Sequence, residues 1–380
     1  MEKLKSQLNI IIGIIYMCCF VMNADGQQTI NGNIIHNGIN RNYILHLPAN
    51  HNVNTAIPLV YNLHGFGSNA LEQEFYSGMN TVADTARFAV CYPNGVSTAW
   101  NVGWAFGSTA DDVGFISALT DDLISKYGFD TKRIYSCGMS NGGFMSYVLA
   151  CQLNNKIAAI ASVTGSMVPG NVTSCNPGKP VPVLEIHGTA DGTVAYNGSQ
   201  IGVSIPDVMK FWQNNNECDL EPVKEFVPNI SLTDNTTTEK YSYANCKNNK
   251  EVIHYKVIGG GHTWPGATID IGTTSHDFNA SSTIWNFFRK YSLDNTSVTN
   301  APDPDVITEV YPNPFFDQFV VDQVTADTKL FIYNVQGSLV SQLCLVDGKN
   351  IINTTSWPKG IYFVRTEQLQ KTNSFRLIKL

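Results

Sequence analysis

The chain alternates short, continuously apolar runs with segments of helical period, and that alternation leaves few architectures open. NYILHLP, PLVYNLHG, FAVCYPNG, RIYSCG, IAAIASVTG, VPVLEIHG and VIHYKVIG read as strands. Among and after them, DDVGFISALTDDLISKYG, SNGGFMSYVLACQ, IPDVMKFWQNN and STIWNFFRKYS read as helices. Strands without polar alternation must be buried on both faces, and a mostly parallel sheet with helices on each side provides that burial. The expected fold is therefore α/β over residues 27–293. With 43% hydrophobic residues in 380, the chain has enough apolar material for such a core.

The pattern changes after DNTSVTNAPDPD, a polar, proline-bearing stretch that suits an exposed linker over residues 294–305. VYPNPFFDQFVV, KLFIYNVQGSLVSQLCLV, KNIINTTSWPKGIYFVRT and SFRLIKL carry strand signals and no helical period, which predicts a small all-β domain over residues 306–380. At the N-terminus, two lysines, an apolar run from about Ile10 to Met22 and small residues near Gly26 predict a secretory signal peptide over residues 1–26. The run falls short of the roughly 20 residues of a membrane-spanning helix.

Export implies an oxidising compartment, where disulfides persist. Of nine cysteines, Cys18 and Cys19 leave with the signal. Cys151 with Cys175 and Cys218 with Cys246 each bracket a loop or excursion and are the candidate pairs; Cys91 and Cys137 lie in strand-like runs and are expected as buried thiols. A net charge of -7, with only 14% charged residues, provides no basic block to follow a phosphate backbone, so no nucleic-acid partner is expected. No C-x-x-C or H-E-x-x-H spacing points to a metal.

Chemistry enters at RIYSCGMSNGGFMSYVLA. Gly138-x-Ser140-x-Gly142 lies between a predicted strand and a predicted helix, the pattern of a nucleophile elbow that projects a serine from a sharp, strained turn. A serine needs a base, and the base an orienting acid. VPVLEIHGTADGTV places Asp191 just after a strand, and VIHYKVIGGGHTWPG places His262 just after the next. Asp-Gly is also a common turn pair, so Asp191 alone would say little. Ser140, Asp191 and His262 in that order, each at a strand end, predict an acyl-transfer triad. His64-Gly65-Phe66-Gly67 is an HGxG loop, whose Phe66 amide would form an oxyanion hole with that of Asn141. His64 is expected to hold that loop. Trp264 and Trp104 are candidate walls of the substrate pocket, where an aromatic face could stack on a sugar or aryl ring. Trp100 could line the same pocket or lie in the core, and Asp111 and Asp112 are expected at a helix start.

With LHGFG, DDVGF, CGMSNGG, HGTAD and GGGHTWPG all present, residues 27–293 resemble the secreted esterase family that groups polyhydroxybutyrate depolymerase-like enzymes with feruloyl and acetylxylan esterases. The resemblance implies an α/β-hydrolase fold and a cofactor-free serine esterase. YPNPF, IYNVQGSLV and WPKGIYFVR resemble a type IX secretion (type A) sorting domain, which implies outer-membrane secretion machinery as a partner and a secreted or cell-surface enzyme. A carbohydrate-binding β-sandwich is the rival for that module. No polymer-adsorbing module is legible, so a feruloyl or acetyl ester on a plant polysaccharide ranks first and a polyester second. From a different class, the chain could be a non-catalytic surface carbohydrate-binding protein on a hydrolase fold.

Overall fold

The computed structural model describes residues 26–293, 309–324, 328–335, 338–368 and 371–380. The expected linker and residues 1–25 of the expected signal peptide lie outside the described residues. Contacts divide the chain into two compact units, Met1–Ser297 and Val298–Leu380.

The first unit is built on a 10-stranded sheet. Its strands are β1 (Gln28–His36), β2 (Ile39–Leu47), β3 (Leu59–Leu63), β4 (Ala89–Pro93), β5 (Ile134–Met139), β6 (Ala159–Val163), β7 (Val183–Gly188), β8 (Val223–Val227), β9 (Thr237–Tyr243) and β10 (Val252–Ile258). Their order across the sheet is β1-β2-β4-β3-β5-β6-β7-β10-β9-β8. From β4 through β10 neighbours are parallel, while β1, β2, β9 and β8 extend the two sides antiparallel. Helices α1 (Ala70–Ser77), α2 (Met79–Ala86), α3 (Asp112–Tyr127), α4 (Asn141–Gln152), α5 (Pro169–Ser174), α6 (Ile205–Asn215) and α7 (Ala280–Phe288) complete an α/β-hydrolase fold.

Every residue of β3, β4, β5, β6 and β7 is buried, as their unbroken apolar runs require. Successive residues serve opposite faces. Leu59 and Tyr61 join a core with Phe115 of α3, Tyr147 of α4 and Trp212 of α6; Val60 joins one with Met79 of α2 and Trp285 and Phe288 of α7. Helix starts follow local chemistry: Asp111 Oδ1 accepts the Gly114 amide at 2.9 Å and Asn279 Oδ1 that of Ser282 at 2.9 Å. Asp112 is instead buried against Arg41 at 2.6 Å.

Three strands of this sheet, β1, β8 and β9, were not legible as elements. The hairpin β1–β2 turns on Asn37 and Gly38, with φ of 49° and 78°, a two-residue turn of the Asn-Gly type that matches strand twist. The excursion between Cys218 and Cys246 forms β8 and β9 on the far edge of the sheet. The connection between those two strands leans on the loop after His262: Asp277 Oδ1 accepts the amides of Ile230 and Ser231, and Asp234 Oδ2 that of His276.

Both expected disulfides form, Cys151–Cys175 and Cys218–Cys246, and Cys91 and Cys137 are buried free thiols.

Among the described residues, the strands of the second unit pair antiparallel. One sheet holds β11 (Glu309–Tyr311), β12 (Gln318–Val324) and β15 (Gly348–Asn353); the other holds β13 (Lys329–Asn334), β14 (Leu339–Cys344), β16 (Gly360–Gln368) and β17 (Lys371–Lys379). Phe315, Phe319 and Val321 meet Leu330, Val364 and Leu377 in one core.

Candidate active site

Because β3, β5, β7 and β10 are parallel, the loops that follow them leave the same edge of the sheet, and all the candidate chemistry sits on those loops. Ser140 joins β5 to α4 with φ 53° and ψ −121°, a conformation that non-glycine residues adopt only under strain. Its amide donates to the Val163 carbonyl at 2.9 Å and its carbonyl accepts the Phe144 amide at 3.0 Å, so the corner is pinned on both sides. The flanking glycines are required by close approach. A Cβ on Gly138 would lie 2.6 Å from the Gly142 carbonyl, and one on Gly142 would lie 2.1 Å from the Leu63 carbonyl oxygen. The Ser140 hydroxyl does not cap α4, which leaves it available for other bonds.

Asp191 and His262 meet at 2.7 Å, carboxylate Oδ2 to ring Nδ1. Nδ1–H donates to the carboxylate, so Nε2 presents its lone pair. The other carboxylate oxygen, Oδ1, accepts the amides of Thr193 and Val194, each at 2.8 Å. Burial works to raise the Asp191 pKa, but the hydrogen bond to His262 and the charges of His262 and His187 outweigh it and hold the carboxyl below its ordinary value. The two loops are also sewn together through the backbone, Ala190 amide to Gly260 carbonyl at 2.9 Å and Thr189 amide to Val257 carbonyl at 2.8 Å.

The HGxG loop follows β3 and lies against the elbow: a Cβ on Gly65 would be 3.5 Å from that of Ser140. His64 is buried and holds the loop from both ring nitrogens. Nδ1–H donates to the Gly65 carbonyl at 2.7 Å, and Nε2 accepts the Gly95 amide at 2.9 Å. Burial lowers its pKa, which suits this neutral role. Trp100 ties the assembly together: its indole donates to the His64 carbonyl at 2.9 Å and its amide to Asn141 Oδ1 at 2.7 Å. The Gly67 amide donates to the Thr98 carbonyl in the segment after β4 and that of Ser68 to the Gly65 carbonyl, whereas the amides of Phe66 and Asn141 donate to no other described residue.

The expected pocket wall needs correction. Trp264 is 0% exposed; its amide donates to the Tyr76 hydroxyl at 3.1 Å and its indole to Ser281 Oγ at 3.1 Å. Two polar partners draw it under α7, where it anchors the His262 loop and faces no substrate. Trp100 is likewise core. Trp104 is partly exposed, with its indole bonded to the Ile201 carbonyl at 2.8 Å. It stacks on Phe106 with centroids 5.0 Å apart, and Phe106 meets Phe66 edge-on at 5.9 Å. Phe66 and Phe106 are 52% and 51% exposed, so the HGxG loop is flanked by an aromatic surface. The rings of Phe66 and Phe106 were missed in the sequence, although AWNVGWAFG packs its aromatics closely enough to have signalled the cluster.

Residues 41–200 match the family described as Esterase PHB depolymerase, and residues 309–379 match the one described as Secretion system C-terminal sorting domain. The putative esterase NocK of Nocardia uniformis subsp. tsuyamanensis is 30% identical over 257 residues, covering 60% of this chain and 73% of NocK. Feruloyl esterase D of Neurospora crassa is 30% identical over 278 residues, covering 70% of this chain and 86% of that enzyme. The chain belongs to the Esterase PHB depolymerase family. The bifunctional acetylxylan esterase/xylanase XynS20E of Neocallimastix patriciarum is 28% identical over 270 residues, and the chain spans 36% of its length.

This esterase is a carboxylic ester hydrolase with a secretion sorting domain behind it. A cavity of about 130 Å³ lies along α4, lined by Phe144, Tyr147, Cys151, Met167 and Cys175 among others. None of Ser140, Asp191 and His262 lines it.

Proposed function

We propose that the protein is a secreted serine esterase working through an acyl-enzyme, with Ser140 as nucleophile, His262 as general base and acid, and Asp191 as the orienting acid. The 2.7 Å contact of Asp191 with His262, on the same sheet edge as the strained Ser140, is the observation that carries this reading. Ser140 Oγ attacks the ester carbonyl carbon and passes its proton to His262 Nε2. The amides of Phe66 and Asn141 stabilise the oxyanion. His262 then gives the proton to the departing alcohol, leaving an acyl ester on Ser140. Water repeats the sequence: its proton goes to His262, its oxygen to the acyl carbon, and Ser140 recovers a proton as the acid leaves.

For substrate, we favour a feruloyl or acetyl ester on a plant polysaccharide. Relatives named for feruloyl and acetylxylan esters support that class, and the exposed rings of Phe66, Trp104 and Phe106 suit an aryl acyl group or a sugar. A polyester is the second reading, favoured by Leu71 and Phe75, which leave two large apolar side chains exposed one turn apart on α1 beside the same loop. The sorting domain supports export through a type IX system after passage of a signal peptide. Purified enzyme assayed on methyl ferulate, acetylated xylan, p-nitrophenyl butyrate and a polyhydroxybutyrate suspension separates the two. Preference for ferulate or acetylxylan is the expected result; clearing of the polyester with little release from sugar esters would overturn it.

A further inference from the structure

Behind Asp191 lies a group of buried titratable side chains that the acyl transfer leaves unused. Glu185 and His187, both on β7, are 0% exposed. His187 Nδ1 is 2.9 Å from Glu185 Oε1; its Nε2 is 2.8 Å from the Val194 carbonyl oxygen and 3.4 Å from Asp191 Oδ2. The second Glu185 oxygen accepts the Tyr147 hydroxyl at 2.7 Å. A carbonyl can only accept, so His187 Nε2 carries a hydrogen, and Nδ1 shares the remaining proton with Glu185. Wherever that proton rests, the pair has no net charge. Burial works to lower the His187 pKa, but the hydrogen bond and charge of Glu185 outweigh it and the net shift is upward; burial raises that of Glu185.

A buried acid and imidazole cost more than an apolar pair of similar size, so packing alone does not account for them. Their reach is specific. His187, next to last on β7, bonds the carbonyl of Val194, closing the loop that carries Asp191, while Val194 returns its own amide to Asp191 Oδ1. The Asp191 oxygen that His187 approaches is Oδ2, the one that holds His262. We propose that His187, oriented by Glu185 and Tyr147, is a positioning residue that holds the Asp191 carboxylate in the orientation its bond to His262 requires. The inference rests on the serine-esterase reading of Ser140, Asp191 and His262.

The titratable groups around His187 are few. Glu185 lies on its own strand, Asp191 and His262 on the loops, and Tyr147 on α4 behind Glu185. Tyr196 approaches ring to ring at 6.0 Å. On β10, Lys256 is the register partner of His187, and His254 bonds the Glu185 carbonyl at 3.3 Å.

The test compares wild type, His187→Leu and His187→Gln in the full chain. A fluorophosphonate first counts competent Ser140 sites, and kcat and KM on p-nitrophenyl butyrate are then taken per labelled site. His187→Leu is expected to lower kcat about ten- to a hundredfold, with KM nearly unchanged, because the acid is no longer held in place. His187→Gln retains a donor for Val194 and should recover part of kcat. Should His187→Leu not fold, His187→Gln carries the same test, a smaller loss of kcat with KM nearly unchanged. Unchanged kcat per labelled site in a variant, with wild type labelled at Ser140, would overturn the positioning role alone. A wild type that Ser140 labelling misses would overturn the triad reading and this inference with it.

Discussion

Gly188, the last residue of β7, is where the acid loop and the base loop touch. A Cβ there would lie 2.2 Å from the Gly260 carbonyl oxygen and 2.6 Å from that of Gly261. Close-packed backbone does not swing aside as a side chain can, so relieving the first contact needs the loops to part by roughly 1 Å. His262 Nδ1 stands 2.7 Å from Asp191 Oδ2, and a separation of that size takes the pair out of hydrogen-bond range. Gly188→Ala is therefore expected to lower kcat about a hundredfold and to cost about 1–3 kcal/mol of stability. Gly192→Ala is the control: it adjoins Asp191, yet a Cβ there meets nothing within 4 Å. It should keep wild-type kcat and gain a few tenths of a kcal/mol, roughly, from a less flexible unfolded chain. Steady-state kinetics on p-nitrophenyl butyrate and urea unfolding read both effects. Wild-type kcat in Gly188→Ala, or an equal loss in Gly192→Ala, would refute the reasoning.

Three further outcomes follow from the same geometry. His254 is buried neutral, its pKa lowered by burial to about 3, so below about pH 6.5 the unfolded chain takes up a proton that the native state refuses. Stability is thus fully present above that pH and declines as it falls: wild type should lose about 2 kcal/mol more than His254→Gln between pH 7.5 and pH 5 in urea titrations, and equal losses would contradict the assignment. Phe106→Ala should raise KM for methyl ferulate about three- to tenfold while leaving p-nitrophenyl acetate unaffected, given what an aromatic stack contributes; no change in KM would remove Phe106 from the substrate surface. Replacing Cys218 and Cys246 together by Ser opens a cross-link spanning 28 residues, and unfolding should become easier by about 3 kcal/mol; unchanged denaturation would show that the excursion is held by β8–β9 pairing alone.

The centre of the sheet was legible because both of its faces are covered, and burial on both faces writes an unbroken apolar run into the sequence. The candidate triad was legible for a related reason: each residue follows directly on such a run, in a glycine-bearing loop. Edges were harder. β8 reads VKEFV and is mostly exposed, so its charges say surface while its register with β9 puts opposite charges face to face, as in Glu225 with Lys240. Trp264 shows the limit of adjacency in the chain. It sits two residues from His262, yet the direction of its side chain is fixed by Tyr76 and Ser281, and no local pattern announces either contact. Glu185 and His187 did leave a signal, an acid and an imidazole in the run VLEIHG that burial on both faces should have kept apolar.

The most direct test of the proposed chemistry is mass-spectrometric mapping of a fluorophosphonate adduct on the purified enzyme. A single adduct on Ser140, absent from Ser140→Ala and accompanied there by a loss of about 10⁶ in kcat, is the expected result. An unlabelled enzyme that still hydrolyses esters, or an adduct on another serine, would contradict it.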